Sequence, residues 1–539
     1  MTHLPSSPFP ALLVGLPILL AVLSLFFRTR GKAVVGLTGS VLTAGLALMA
    51  IIEVMQRGTV IHILGGWEPP LGILLRMDPL SVVFISMTAA VGVFISLYSW
   101  WYLRTQEAST GGFPLFWPLW LFLWAGLNGL FLSNDLFNLY VTIEVIGISA
   151  VALAVLSGST AALFAGLRYL LAAIAGSMAY LFGVALLYGS TGTLDIGILG
   201  QVMEPGATTT FAMLVITLGL MIKTASFPFH FWLPPAHSSA LPPVSALLSA
   251  LVVKGTFYIL LRLWTEIFGV SLTFAAGQLI GLAGAVAVIW GSWQALMQTR
   301  LKLIVAHSSV AQLGYLLMVF PLLILAPGVS AGSAEWLTPA WTAGIYQVMA
   351  HAFAKSSLFL SAGIIVMALG HDRIESLRDL VAWMPMTALA IGIAGVSLIG
   401  LPPSGGFMAK WMLLKGIFLS GQWWWAPAVL AGSLLTAGYV FMLLRLAFAP
   451  AREAKPFRRV PKILEVCALL LALGSFLIVL PSDFLIRFLQ GSESFGTGIE
   501  AIVAGSESFG TGMESFGTGS ESFGTGIEPI MEGGAYGND

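Results

Sequence analysis

Apolar runs of about 18 to 25 residues recur along this chain from Leu12 to Leu489, and each is long enough to cross a hydrocarbon core of about 30 Å. That feature decides the solvent. Only 9% of the 539 residues are charged and the mean hydropathy is +0.94, whereas a soluble domain carries about 25% charged residues. Read by hydropathy, the spans fall near 10–27, 33–55, 79–101, 114–133, 136–157, 165–188, 209–233, 243–265, 274–297, 302–326, 340–368, 384–418, 424–448 and 464–488. The expected fold class is an all-α integral membrane protein with about 14 transmembrane helices. The first run has neither a basic flank before it nor a small-residue cleavage site after it. It is expected to be retained as the first helix and not removed as a signal peptide.

Charges outside the runs give an orientation. Arg28, Arg30 and Lys32 follow the first span, and Arg445, Arg452, Lys455, Arg458, Arg459 and Lys462 surround the last connection. Arg104, Arg168, Arg300, Lys302, Arg373 and Arg378 also fall in odd-numbered loops, against Arg57, Arg76 and Arg262 in even ones. The positive-inside rule then places odd loops in the cytoplasm and both termini outside it, across a bacterial inner (plasma) membrane. After Gln490 the composition changes: the hexamer ESFGTG starts at Glu493, Glu507, Glu514 and Glu521. Residues 491–539 have no apolar face to bury and read as a low-complexity, disordered tail. Net charge is zero, so nothing points to nucleic acid. The single Cys467 excludes a disulfide framework and an iron–sulfur cluster held by this chain alone. No cofactor is expected in the chain.

Six charges sit inside apolar runs, and they carry the functional argument. Glu144 lies in LYVTIEVIGISA, Lys223 in GLMIKTASFPFHFWLPP, Lys254 in ALLSALVVKGTFYILL, Lys355 in MAHAFAKSSLFLSAG, and Lys410 and Lys415 in GFMAKWMLLKG. A Lys or Asp at a helix centre costs about 2.5 to 3.5 kcal/mol on insertion scales. The set together would exceed the net stability of a typical domain, so these groups must face water or each other. A lone buried lysine can be a structural tether to backbone carbonyls; a set of them is better read as a relay. Lysine suits proton transfer because burial and a nearby carboxylate push its proton affinity in opposite directions. Histidine titrates near neutrality unaided. His307 and His351 lie in late apolar runs, and His351 stands four residues before Lys355, on the same helical face. For each histidine, a hydrogen-bonded core role and a relay role both stay open. Haem ligation by His230 and His237 is the weaker option, since no repeated His spacing on paired helices is present.

Two of the lysine-bearing runs are broken. Pro228, Pro234 and Pro235 interrupt the run of Lys223, and Gly400, Pro402, Pro403, Gly405 and Gly406 interrupt that of Lys410. Proline removes an amide donor, and the freed carbonyls need a wet or protein-lined setting. These are the seventh and twelfth spans. An offset of five spans reverses direction across the bilayer, and interrupted helices at matching places in inverted repeats point to an ion path.

The stretches RMDPLSVVF (76–84), SNDLFNLYVTIEV (133–145), KTASFPFHFWLPPAHSSALPPVSALLSALVVKG (223–255), AHSSVAQLGY (306–315), HAFAKSSLFLSAG (351–363) and LIGLPPSGGFMAKW (398–411) resemble the antiporter-like, proton-translocating subunits of complex I, membrane hydrogenases and Mrp-type cation/proton antiporters. The resemblance implies 14 helices with two inverted five-helix repeats. It also implies the fifth-helix glutamate at Glu144, the seventh-helix lysine at Lys223, and the eighth- and twelfth-helix lysines at Lys254 and Lys410. The family often has an aromatic residue where this chain has His307. The long amphipathic helix of the largest complex I subunit of this type has no counterpart after Gln490, so the match is to shorter members such as the Mrp D-type subunit. The resulting organisation is an N-terminal part (1–113), a translocating core (114–450, repeats 114–265 and 274–448), a basic loop and last helix (451–490), and the tail. The expected activity is proton translocation within a hetero-oligomeric membrane complex, using Glu144, Lys223, Lys254, His307, His351, Lys355 and Lys410. Its partners would be other membrane subunits and the bilayer, with protons and Na+ as the ions. Any redox chemistry, such as NADH–quinone oxidoreduction, would reside in those partner subunits. A cation/proton antiporter without a redox partner, a structural scaffold and a solitary solute carrier are the competing readings.

Overall fold

The computed structural model of the protein describes residues 4–110, 113–324, 336–450 and 457–490. The ESFGTG tail and the start of the basic segment, with Arg452 and Lys455, lie outside the described residues. From the N-terminus, α1 (Phe9–Leu25) and α2 (Thr29–Arg57) precede an antiparallel hairpin of β1 (Val60–Ile63) and β2 (Leu74–Met77), with Val60 opposite Met77. Then come α3 (Pro79–Thr110), α4 (Phe116–Leu132), α5 (Leu136–Ala154), α6 (Thr160–Thr191), the short α7 (Ile196–Val202) and α8 (Ala207–Lys223). α9 (Leu233–Ser239) follows, and α10 (Pro242–Leu247) and α11 (Val253–Glu266) are joined by a π-helical turn at Leu248–Val252 into one span. The second half holds α12 (Phe274–Leu296), α13 (Leu301–Leu317), α14 (Leu337–Leu369), α15 (Leu380–Trp383), α16 (Pro385–Ile399), α17 (Gly405–Leu419), α18 (Ala426–Phe448), α19 (Lys462–Leu477) and α20 (Ser482–Gln490). The hairpin departs from the purely helical expectation. Its Val60–Ile63 run is too short to span and is β-branched, which suits a pleated strand.

By length and composition, nine helices among the described residues can cross a membrane, or ten when α19 and α20, bent by 68°, count as one span. Four shorter apolar helices, α1, α4, α8 and α16, accompany them. The hydropathy reading gives a larger number because its windows run through chain breaks: α8 and α16 stop at such breaks, and α1 and α4 are only 17 residues long. Polarity is inverted relative to a soluble protein. Phe164 on α6 is 65% exposed and Leu434 on α18 is 75% exposed, whereas Lys254 and Lys355 are 0% exposed. Only a lipid environment makes that arrangement favourable.

Side-chain caps start several helices. The Asp135 carboxylate accepts from the Asn138 amide at 2.7 Å to open α5, and Ser159 accepts from Ala162 at 3.2 Å to open α6. Backbone bridges Ser6–Ile61, Leu75–Ser133 and Asp135–Asp195 gather the N-terminal segment, the hairpin and the loops after α4 and α6 at one end of the bundle. The Arg300–Arg373 bridge, with Asp379 N–H donating to Ala449 O (2.8 Å) and Arg458 N–H to Ala368 O (3.0 Å), gathers the loops after α12, α14 and α18 at the other.

Candidate proton-translocation site

The first charged pair forms where α8 ends. Lys223 is the last residue of that helix, and its Nζ donates to Glu144 Oε1 on α5 at 3.3 Å. The Ser177 hydroxyl on α6 donates to the same oxygen. The ammonium is buried, while 30% of the Glu144 side chain is exposed at the flank of α5. Lys223 fits because α6 and α8 touch backbone to backbone: a Cβ on Gly176 would stand 2.8 Å from the Gly219 carbonyl oxygen and 2.9 Å from Lys223 Cγ. Beside the lysine lies a cavity of about 20 Å3 lined by Lys223, Tyr169, Trp232 and Thr256 among others, large enough for about one water molecule. The chain then breaks over Thr224–Phe229, with Ala225 at φ 54°. Pro234 and Pro235 do not make this break; they sit in the first turn of α9, where a missing amide is tolerated. Thr224 Oγ1 donates to Thr256 Oγ1 at 2.7 Å and ties the break to α11.

Lys254 is the second residue of α11, immediately after the π turn. Its Nζ donates to the Ser249 carbonyl inside that turn, where the widened i→i+5 ladder displaces carbonyls from their α-helical partners. The Ser249 hydroxyl is 2.9 Å from that of Ser309 on α13. The next residue back, Ser308, accepts from Lys355 of α14, whose Nζ also donates to Val305 O at 2.9 Å. Two adjacent serines of α13 therefore connect the surroundings of Lys254 to Lys355. One turn further, Gln347 Nε2 donates to Gln312 Oε1 at 2.8 Å, and Gln312 Nε2 donates to Leu398 O at 3.4 Å. Lys410 of α17 meets the same carbonyl: its Nζ donates to Leu398 O (3.0 Å), Ile399 O (2.8 Å) and Ser433 Oγ (3.0 Å), and lies 4.5 Å from the Tyr315 ring centre. The break at the end of α16 frees these carbonyls. Gly400 turns the chain at φ 87°, and a Cβ on Gly406 would fall 1.7 Å from Ser397 O, so glycine is required where the two helix pieces pack.

The candidate residues do not all converge. Lys254, Lys355 and Lys410 are brought together through α13, and Glu144 with Lys223 adjoins them through Thr224 and Thr256. His351 is buried one turn before Lys355, and neither ring nitrogen has a hydrogen-bond partner among the described residues. His307 is half-buried on α13, its Nδ1 has no hydrogen-bond partner among the described residues, and it lies off the line. Lys415 is exposed on α17 and takes no part. Three supposed loop charges are in fact buried, among them Arg76 on β2. Lys302 begins α13 and donates to Ala240 O (2.5 Å) and Ser238 O (3.3 Å), and Arg262 lies within α11. Sequence reasoning does not single out the connecting residues Ser249, Ser308, Ser309, Gln312 and Gln347. Their signal is the polar i, i+1, i+4 pattern of HSSVAQ inside an apolar run.

Residues 133–436 match the family described as NADH:quinone oxidoreductase/Mrp antiporter, TM, and residues 69–113 match NADH-Ubiquinone oxidoreductase (complex I), chain 5 N-terminus. The chain is 35% identical over 467 residues to NADH-quinone oxidoreductase subunit N of Desulforudis audaxviator, covering 83% of this chain and 89% of that one. It is 29% identical over 493 residues to a Na(+)/H(+) antiporter subunit of Bacillus subtilis, covering 89% and 96%. In three dimensions it is similar to a chain of the membrane-bound sulfane sulfur reductase, an archaeal respiratory membrane complex, with a TM-score of 0.80, 26% identity and coverage of 93% and 99%. A chain of the Mrp complex from Dietzia sp. DQ12-45-1b shares the fold with a TM-score of 0.79, 24% identity and coverage of 92% and 99%. Because the match at 133–436 spans more than half of the chain and contains Glu144 and the candidate lysines Lys223, Lys254, Lys355 and Lys410, the chain belongs to the NADH:quinone oxidoreductase/Mrp antiporter transmembrane family, as one of its antiporter-like membrane subunits.

Proposed function

We propose that this subunit carries protons along a lateral line from the Glu144–Lys223 pair through Lys254 and Lys355 to Lys410, within a complex of several membrane subunits. The single observation that carries the reading is the run of hydroxyl, amide and carbonyl groups on and around α13 that joins three buried lysines. A scaffold has no use for such groups, because apolar residues would pack there at lower cost. Glu144 sets the charge of Lys223, the water-sized cavity beside Lys223 supplies a hop toward the Thr224–Thr256 pair, and His351 stands beside the central lysine. His307 is peripheral to this line.

The same reading takes the bundle as 14 crossings, with the bent α19–α20 pair as one and the four shorter apolar helices included. The repeats 114–265 and 274–448 would be inverted, both termini would lie outside the cytoplasm, and the membrane would be the bacterial inner membrane. The joined loops at the two ends of the bundle support this alternation. A monovalent cation such as Na+ as the coupled ion is the second reading, favoured by the similarity to a Na(+)/H(+) antiporter subunit. Glu144→Gln and Lys223→Ala test the proton line in the intact complex. Each is expected to remain in the membrane and to abolish ion-coupled activity, because an intramembrane charge pair that opens onto a water-sized cavity is functional by default. Normal proton-coupled activity in both would end the proposal. Adding and removing Na+ in the same vesicles separates the two ions.

A further inference from the structure

A second buried charge cluster closes the other end of α11. Lys254, Tyr258, Arg262 and Glu266 follow one another at four-residue intervals and so form a single polar stripe along that helix. From Lys254 the stripe runs toward the end of the bundle where the hairpin sits. Arg262 Nη2 donates to both carboxylate oxygens of Asp78 at 2.7 Å, Nη1 to Glu266 Oε1 at 2.8 Å, and Nε to the Tyr258 hydroxyl at 2.7 Å. Arg76, on β2, donates through Nη2 to Glu266 Oε2 at 2.6 Å. Two cations meet two anions, so the cluster is neutral. Asp78 is also fixed in place by reciprocal hydrogen bonds with Ser81 at the start of α3. One turn nearer Lys254, the Tyr258 ring packs against Phe84 (4.9 Å) and Phe131 (5.0 Å), which also touch each other at 5.3 Å, all three buried.

Such a stripe would carry a proton from Lys254 straight out at the hairpin end unless something stopped it. The Tyr258 hydroxyl donates to the Phe131 backbone carbonyl at 2.6 Å, which cannot pass a proton on. It accepts from a guanidinium, which holds its protons at any accessible pH. The hydroxyl on the stripe between Lys254 and Arg262 is thus engaged on both sides by groups that do not exchange. We propose that Tyr258, Arg262, Asp78, Glu266 and Arg76 form an insulating plug that leaves Lys254 accessible from one side only, a role that rests on the proton line described above.

The test is passive proton leak. Vesicles carrying the intact complex are given a pH gradient without substrate, and its decay is followed for wild type and for the Arg262→Gln/Asp78→Asn variant, which removes both charges and strands neither. A severalfold faster decay per assembled subunit is expected, and it should return to the wild-type rate when Lys254→Met is added. Unchanged decay in the assembled variant overturns the plug. So does a leak that persists with Lys254→Met, since that would be general loosening of the bundle. If the variant does not reach the membrane, Arg76→Gln/Glu266→Gln at the rim is read in the same way, and absence of leak there overturns the plug. Lys254→Met alone, scored for coupled translocation, judges the proton line independently: normal coupling in it would remove Lys254 from the line, whatever the leak shows.

Discussion

Lys410→Arg separates a proton line from a structural tether. Lys410 has three acceptors, the Leu398 and Ile399 carbonyls and the Ser433 hydroxyl. An alanine there would strand all of them in a buried setting at about 1–3 kcal/mol each, so its failure would say nothing about protons. Arginine avoids that ambiguity because a guanidinium keeps the charge and offers more than enough donors for the same oxygens. What it loses is release. Reference values place the guanidinium about two pKa units or more above the lysine ammonium, and each unit is about 1.4 kcal/mol. Giving up the proton then costs about 3 kcal/mol more, which slows a step limited by release about 100-fold. The subunit is therefore expected to assemble at wild-type levels and translocate at about a hundredth of the rate. Proton uptake by vesicles carrying the complex, normalised to assembled subunit, measures this. Retention of most of the wild-type rate would show that Lys410 only ties the broken helix together, and the exit would have to be sought elsewhere.

Ser308→Ala removes one of the two acceptors of Lys355; a hydrogen bond to a charged group is worth about 1.5–3 kcal/mol, so translocation in the same vesicles should fall about 10- to 100-fold. Gly406→Ala drives a methyl group to within 1.7 Å of the Ser397 carbonyl oxygen, a backbone clash that repacking cannot absorb cheaply, and immunoblots of membranes should show the assembled subunit largely lost. A cysteine placed after Gln490 in a Cys467→Ser background is expected to react in intact cells with a membrane-impermeant thiol reagent; reaction only after lysis would reverse the orientation.

The residues most legible in the sequence are those whose chemistry conflicts with their surroundings. Glu144, Lys223, Lys254, Lys355 and Lys410 are expensive in lipid wherever the helices pack, so composition alone marks them. The break before Lys410 is equally visible, because Gly400 and Gly406 have backbone demands that few residues meet. Less legible is everything decided by rotation about a helix axis. His307 and Ser308 are neighbours in sequence, yet only Ser308 hydrogen-bonds Lys355, while the His307 ring is half-buried. Lys410 and Lys415 share a helix, but five residues amount to about 500° of rotation, which carries the second off the buried face. Charges at span ends mislead for a related reason. Hydropathy windows cannot distinguish a loop arginine from one drawn back into the bundle, and Arg262 and Lys302 are drawn back by Asp78 and by the Ser238 and Ala240 carbonyls.

The hydrogen-bond acceptors that the protein offers to the three lysines are not uniform. Among the described residues, Lys254 meets the Ser249 carbonyl; Lys355 meets the Val305 carbonyl and the Ser308 hydroxyl; Lys410 meets two carbonyls, the Ser433 hydroxyl and the face of Tyr315. An ammonium has three donors, and only at Lys410 does the protein supply an oxygen for each. A positive charge passed from Lys254 to Lys355 to Lys410 therefore gains acceptors at every step. No carboxylate pairs with any of the three among the described residues, whereas Lys223 is paired with Glu144. Neutral dipoles suit the interior of such a line better than carboxylates do. A carboxylate would hold one proton in a fixed ion pair, while hydroxyls and carbonyls stabilise the charge wherever it rests and leave it free to move. On the proposed line the ion pair stands at the outer end, where Glu144 is part-exposed at the flank of the bundle. A second helix break stands at the other end of the proposed line, where the carbonyls it frees make Lys410 the best supplied with acceptors.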